Sequence, residues 1–183
     1  MRVIAGSKRR LQLQTVPGMT TRPTTDRIKE TLFNMIGNDV YHCRFLDLFA
    51  GSGQMGIEAL SRGASYACFV EKDKGALACI RQNLAHTDFT NESDVMPGDV
   101  LICLRGIEGA EAFDIIFIDP PYQLGVERQV LEAINQYGLL HEDGYIILEA
   151  ALETDFSFLE QMPYEIIKEK CYKTNKHLFI TKQ

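Results

Sequence analysis

Asp119-Pro120-Pro121-Tyr122 is the segment of this chain whose residue types point most directly to chemistry. Two prolines hold φ near about −65° and remove the backbone N–H donors at 120 and 121. The segment therefore offers acceptors, the Asp119 carboxylate and main-chain carbonyls, in a stiff frame. That suits an amine. An exocyclic amino group conjugated to a base ring is a poor nucleophile. Two acceptors that hold its hydrogens turn the nitrogen lone pair toward an electrophile and stabilise the positive charge that develops. Tyr122 adds a flat face, and stacking is worth roughly 1–3 kcal/mol per base, comparable with the few kcal/mol that extruding a nucleotide costs. The plain alternative is a proline-stiffened turn with Asp119 as a turn or cap acceptor.

A second motif lies upstream. Phe45-Leu46-Asp47-Leu48-Phe49-Ala50 leads into Gly51-Ser52-Gly53-Gln54-Met55-Gly56, a GxGxxG between an apolar run and a helical stretch. Glycines let the backbone turn sharply and let a ligand come close, and the helix start supplies unpaired N–H groups. Glu71, twenty residues after Gly51, ends the next apolar run, where a carboxylate can accept both hydroxyls of a ribose. Together they point to a bound nucleoside, although Glu71 also fits a solvated strand end. NAD and S-adenosylmethionine both present adenosine in such a site. The Asp119 corner separates them, because the amine it holds needs a carbon electrophile with a good leaving group. The sulfonium methyl of S-adenosylmethionine provides one and nicotinamide does not, so S-adenosylmethionine is the expected cofactor.

Both motifs need a frame. From Arg44 onward short apolar runs alternate with helical stretches, the pattern of a parallel sheet covered by helices. Strands are predicted at 44–49, 67–71, 94–96, 114–118 and 144–149, and helices at 54–62, 74–86, 99–106, 125–138 and 155–161. Upstream, an irregular lead from Thr15 to Thr25 precedes a helix over Asp26–Ile36, where Ile28, Leu32 and Met35 share a face and Thr25 and Asp26 suit the first turn. Glu165 to Cys171, the polar Lys173-Thr174-Asn175-Lys176 and His177 to Thr181 read as a closing hairpin. In this arrangement both motifs fall at the carboxyl ends of strands, where open α/β sheets bind ligands.

Composition narrows the rest. The 183 residues suit one ordinary domain, and 45% hydrophobic with 24% charged residues is globular rather than disordered. Apolar runs such as Ile115–Ile118 fall far short of the roughly 20 residues a membrane span needs. MRVIAGSKRR has no apolar stretch of signal-peptide length, so a cytoplasmic protein without a membrane partner is expected. The five cysteines, at 43, 68, 79, 103 and 171, form no CxxC pair, and neither disulfides nor a bound metal are expected. His42, His86, His141 and His177 lie outside the motifs and read as structural or exposed. Charge is segregated. Residues 1–44 hold eight basic and three acidic residues, a balance of +5, while 45–183 hold eleven and twenty-two, a balance of −11. A basic arm on an acidic body can meet a polyanion locally, because salt confines repulsion to roughly 8 Å.

The strings FLDLFAGSGQMGIEAL, FVEKD and DPPY resemble the motifs of class I S-adenosylmethionine-dependent amino-methyltransferases. More narrowly, RVIAG at 2–6, RPTTDRIKETLFN at 22–34, LDLFAGSGQMGIEALSRG at 46–63 and FIDPPY at 117–122 look like the RsmD-type methyltransferases. The resemblance implies an α/β, Rossmann-like fold: a mostly parallel seven-stranded sheet with an antiparallel C-terminal hairpin and helices on both faces. Residues 41–183 would form that unit and 1–40 the basic arm with its helix. The implied reaction is methylation of guanine N2 in small-subunit ribosomal RNA, with Asp119, Pro120, Pro121 and Tyr122 as the catalytic tetrad.

On the cofactor side, the resemblance assigns Asp47, Gly51, Gly53 and Gly56 to the methionine part and Glu71 to the ribose. Asp99 meets the adenine amino group with Val100 beside the ring, although Asp99 fits a plain helix N-cap equally well. Arg22 and Thr24 close over the cofactor or the RNA, or serve as a cap and hinge. Arg2, Lys8, Arg9, Arg10, Lys173 and Lys176 are the expected RNA contacts. The implied partner is ribosomal RNA or a small ribosomal subunit during assembly, met by a monomer. Competing readings are a DNA or RNA adenine-N6 or protein-amide methyltransferase with the same tetrad, a non-catalytic nucleoside- or RNA-binding module, and a small NAD-dependent oxidoreductase.

Overall fold

The computed structural model describes residues 1–16, 26–121 and 125–183; Arg22, Thr24, Thr25 and Tyr122 lie outside the described residues. The helices are α1 (Asp26–Ile36), α2 (Gln54–Ser61), α3 (Lys74–Thr87), α4 (Val100–Gly106) and α5 (Glu127–Gln136). The strands are β1 (Arg44–Leu48), β2 (Tyr66–Glu71), β3 (Ser93–Pro97), β4 (Phe113–Ile118), β5 (Leu140–Ala151), β6 (Tyr164–Cys171) and β7 (Asn175–Lys182). They form one sheet in the order β3-β2-β1-β4-β5-β7-β6. The first five strands pair in parallel, and β7 runs antiparallel between β5 and β6. This is the parallel sheet with an antiparallel terminal hairpin that the alternation of runs predicts, in the Rossmann-like, seven-stranded form that the resemblance implies.

Strand alternation gives the sheet two apolar faces. Even-numbered residues such as Leu46, Ile116 and Leu148 share a core with Leu104 of α4 and Val130 of α5. Odd-numbered residues such as Phe45, Phe69, Phe117 and Ile147 share a second core with Phe33 of α1, Ile57 of α2 and Ile80 of α3. A chain buried on both sides explains why these strands read as continuous apolar runs rather than alternating ones.

Three departures from the sequence expectations have local causes. β5 starts at Leu140 rather than 144, because its pairing with β4 shifts register between Phe113 and Ile115 and so absorbs the turn-like Glu142-Asp143-Gly144. The helix predicted at 155–161 shrinks to a 3-10 turn at Ser157–Gln161, started by Asp155, which accepts the Ser157 N–H at 2.9 Å. The N-terminus, polar and without a strand pattern, folds back as a small hairpin in which Arg2 bridges Gln12.

That hairpin is docked on the body. Glu58 of α2, fully buried, accepts the N–H groups of Ile4 at 2.8 Å and Ala5 at 3.0 Å. It also pairs with Lys29 of α1 at 3.4 Å and with Arg62 at 2.8 Å. One carboxylate thus joins the N-terminal hairpin to two helices. Burial pushes the Lys29 ammonium below its ordinary range, and the Glu58 charge opposes that shift.

Candidate active site

The alternation that builds the core also aligns the polar residues. Asp47, Glu71, Asp119, Glu149 and His177 are odd-numbered and fall on the face shared with α1, α2 and α3. Register sets Asp47 opposite Phe69 and Phe117, and Phe117 opposite Ile147. Two residues further on, at the carboxyl end, Glu71, Asp119 and Glu149 come level on β2, β4 and β5, and Glu149 faces His177 on β7. Four strands therefore bring a row of ionisable groups to one end of the sheet, with Asp47 one step deeper.

On the β1 side, the turn after Leu48 is tight. Phe49 takes φ +62°, a left-handed conformation that side chains rarely adopt, and Gly51 follows at φ +57°. The Gly51 N–H donates to Glu71 Oε2 at 2.8 Å, while Lys72 and Asp73 donate to Oε1 at 2.8 Å each. Three backbone donors thus aim the Glu71 carboxylate across the loop. A Cβ on Gly51 would meet nothing within 4 Å, so this loop has open space in front of it. Gly56 differs: a Cβ there would lie 2.3 Å from the Phe69 ring, so its absence lets α2 approach β2.

Asp47 is 1% exposed and accepts the Gly56 N–H at 3.0 Å, which ties the first turn of α2 to β1. Burial pushes its carboxyl up to about 8; the Gly56 N–H opposes the shift and the Glu71 charge adds to it. Asp99 caps α4 by accepting the Leu101 N–H at 3.0 Å. The Gly98 N–H donates to the Glu71 carbonyl at 2.9 Å, so the Asp99 turn sits beside the Glu71 strand end. Val100 is buried in the first turn of α4.

Asp119 follows β4, and its N–H reaches the Leu48 carbonyl at 3.5 Å, which links the corner to the strand that carries the glycine loop. Pro120 is buried and Pro121 exposed. Burial raises the Asp119 carboxyl well above the ordinary range, and the charges of Glu149 and Asp47 push it the same way. The Asp119 corner therefore stands with Asp47, Gly51 and Glu71 on one end and one face of the sheet, with Asp99 at the neighbouring strand end.

The basic residues do not converge on this cleft. Lys8 is fixed by its N–H to Ser61 Oγ at 3.0 Å, at the far end of α2, and its ammonium lies 5.5 Å from the Phe89 ring centre. Arg9 and Arg10 are exposed beside it. At 1.5 Å per helical residue that end is about 10 Å from the glycine loop. Arg2 pairs with Asp26 at 2.9 Å. Lys173, exposed in the turn between β6 and β7, lies at the carboxyl end with the cleft, whereas Lys176 leans over Phe156 on the opposite face.

Two parts of the arrangement escape a reading of motifs. Asn83 of α3, fully buried, accepts the Gln14 N–H at 2.7 Å and donates to the carbonyls of Gln14 at 3.1 Å and Ser52 at 3.0 Å. Glu149 accepts from Asn175 at 2.6 Å and faces His177 Nε2 at 3.0 Å. Neither belongs to a contiguous signature; only the strand register or helix phase could have exposed them. Among the described residues no group of three or more His, Cys, Asp or Glu is placed to hold a metal ion, and no helix is long and apolar enough to cross a membrane.

The chain is similar to known proteins over most of its length. Residues 1–181 match the family described as Conserved hypothetical protein 95. The chain is 44% identical over 156 residues to "Putative rRNA methyltransferase YlbH" of Bacillus subtilis, covering 85% of each chain. It is 33% identical over 171 residues to "Ribosomal RNA small subunit methyltransferase D" of Haemophilus influenzae, covering 93% of this chain and 88% of that one. Among solved structures, "Putative methyltransferase yhhF from Escherichia coli" superposes with a TM-score of 0.85 at 30% identity, over 100% of this chain and 98% of the other.

Proposed function

The chain belongs to the Conserved hypothetical protein 95 family of RsmD-type methyltransferases, and from that premise we propose that it moves a methyl group from S-adenosylmethionine to the exocyclic N2 of a guanine in small-subunit ribosomal RNA. The observation that carries this reading is the placement of the Asp119 corner on the same sheet end and face as the glycine loop and Glu71. A donor-free acceptor corner beside a nucleoside cradle fits amine methylation.

The residues present suit the cofactor. The space before Gly51 is open to the methionine part, the carboxylate of Glu71 lies beside it for the ribose hydroxyls, and Asp99 with Val100 stands at the next strand end for the adenine. When bound, S-adenosylmethionine supplies a methyl carbon whose leaving group is a neutral thioether.

Asp119 and the carbonyl of Pro120 hold the two hydrogens of the amine, so that the nitrogen lone pair points along the line of transfer. Positive charge would grow on that nitrogen as it takes the methyl group, and the Asp119 carboxylate would stand beside it to offset the charge. Asp119, which accepts one of those hydrogens, takes the proton and passes it to water. Tyr122 stacks on the base, and Lys173 meets the backbone phosphates near the cleft.

The test is direct. Protein, labelled cofactor and unmodified small-subunit RNA or subunits are incubated, the RNA digested and the labelled nucleoside identified. N2-methylguanosine is expected, with at least about a hundredfold loss of rate for Asp119→Ala. N6-methyladenosine, or label in protein alone, overturns the reading.

A further inference from the structure

Near Asp119 stands a buried carboxylate that the transfer chemistry leaves without a task. Glu149 is 6% exposed at the end of β5, on the same face and at the same level as Asp119, and its charge acts on Asp119. Its two oxygens are held from β7, Oε1 by Asn175 Nδ2 at 2.6 Å and Oε2 by His177 Nε2 at 3.0 Å. Asn175 is 6% exposed and His177 fully buried. Such a cluster adds little stability that packed apolar groups would not add, so its position at the cleft asks for a function. Two atoms at its margin sharpen the point. His177 Nδ1 and the Tyr172 hydroxyl are buried with no hydrogen-bond partner among the described residues, the two rings meeting edge-on at 4.9 Å. Buried polar atoms are almost always satisfied, so two such atoms side by side next to Glu149 call for a role.

We infer that Glu149, held by Asn175 and His177 beside Asp119, accepts the ring N1–H of the substrate base and thereby makes guanine the base that is methylated. The inference rests on the proposed reading of the Asp119 corner as the site that holds the exocyclic amine. Its chemistry is simple. Adenine and cytosine each carry an amine flanked by an unprotonated ring nitrogen, an acceptor that a neighbouring carboxylate repels. Uracil has a ring N–H but no amine. Guanine alone has an amine beside a ring N–H, two adjacent donors for two adjacent carboxylates. A carboxylate offers about four lone-pair sites, so one can serve its protein donors and a substrate together. Asn175 and His177 act as positioning residues, because they touch Glu149 rather than the base.

The site of methylation is first mapped with the wild-type protein, and small-subunit RNA is then rebuilt by splinted ligation with guanine or 2-aminopurine at that position. 2-Aminopurine keeps the amine and replaces N1–H by an acceptor. Wild type is expected to favour guanine about tenfold or more in kcat/KM, the discrimination one well-placed base contact gives. In Glu149→Gln, whose amide can donate to that nitrogen, the preference is expected to collapse to near unity or invert, with cofactor affinity by calorimetry unchanged. Asn175→Ala and His177→Gln should lower the preference partially. A wild type indifferent to the two bases, or a Glu149→Gln variant that keeps the full preference, overturns the inference. Absence of any methylated guanine in the mapping step overturns instead the reading on which it rests.

Discussion

Asn83 grips Gln14 by both backbone groups, accepting its N–H at 2.7 Å and donating to its carbonyl at 3.1 Å, and the same amide reaches the Ser52 carbonyl at 3.0 Å. One buried side chain therefore connects the segment ahead of residues 17–25 with the glycine loop. Truncation would strip partners from polar groups in a mostly buried setting, at a cost of about 1–3 kcal/mol. Asn83→Ala is expected to lower the melting temperature by about 2–12 °C, at ~2–4 °C per kcal/mol for a chain of this size, and to weaken cofactor binding. Thermal unfolding and calorimetry check this. Weaker unfolding with unchanged cofactor affinity would confine Asn83 to stability.

The Lys29–Glu58 pair is a different case, because both side chains are wholly buried. Removing one member of such a pair leaves an uncompensated charge, which typically costs about 3–5 kcal/mol. Glu58 retains Arg62 and two backbone donors, so Lys29→Met is expected at the low end, about 3 kcal/mol. Arg2→Ala, which breaks the exposed pair with Asp26, should change stability by less than about 1 kcal/mol. Urea unfolding of both variants measures the contrast, and equal losses would contradict it.

Much of this architecture was legible because its signals are contiguous. Phe45–Gly56 and Ile115–Tyr122 each carry a strand and its terminal chemistry in a dozen residues or fewer, so the apolar run and the motif locate one another. Glu149 and His177 are 28 residues apart and meet only through the antiparallel register of β5 and β7. His177, read as structural or exposed, is fully buried and stands beside the cleft. Asn83 looks like any polar helix residue until the phase of α3 turns it inward. The polar GSKRR stretch carries no strand pattern, since its hairpin is held by Glu58 and Ser61 rather than by its own apolar side chains.

Gly56 and Phe69 form a packing pair that a double-variant cycle can test. A Cβ at 56 would stand 2.3 Å and 2.5 Å from two atoms of a ring that is itself fully buried. Overpacking of this kind costs about 1–3 kcal/mol, so Gly56→Ala should melt about 2–10 °C lower. Trimming the ring relieves the clash, and Gly56→Ala with Phe69→Leu should be less destabilised than the two single losses added. Simple additivity would mean that α2 shifts away instead.

Asp47 should make stability fall with rising pH. Its carboxyl ionises at about 8 in the folded chain against 3.8 ordinarily, so the folded state binds the proton more tightly. The contribution is therefore most favourable below pH 3.8, declines as pH climbs to about 8, and is flat above. Asp47→Asn keeps an oxygen for the Gly56 N–H and removes the titration. The variant is expected to gain on wild type between pH 5 and pH 9, by a margin on the order of 10 °C in melting temperature. A constant difference across that range would contradict the buried-charge account.

Salt dependence can locate the RNA. The hairpin tip with Arg9 and Arg10 lies at the far end of α2, while Lys173 lies at the sheet end that holds Asp119 and Glu71. If RNA reaches the cleft, each phosphate contact adds about one unit to the slope of log affinity against log salt. Lys173→Ala should then lower the slope by about one and weaken binding at low salt, whereas Arg9→Ala should change it less. Cofactor affinity, which the proposed reading assigns to Glu71 and the glycine loop, should hardly respond to salt. A larger effect from Arg9 than from Lys173 would mean that the RNA runs along α2 and reaches the cleft from its far end, so that the basic N-terminal hairpin, not the terminal β6–β7 turn, provides the main phosphate contacts.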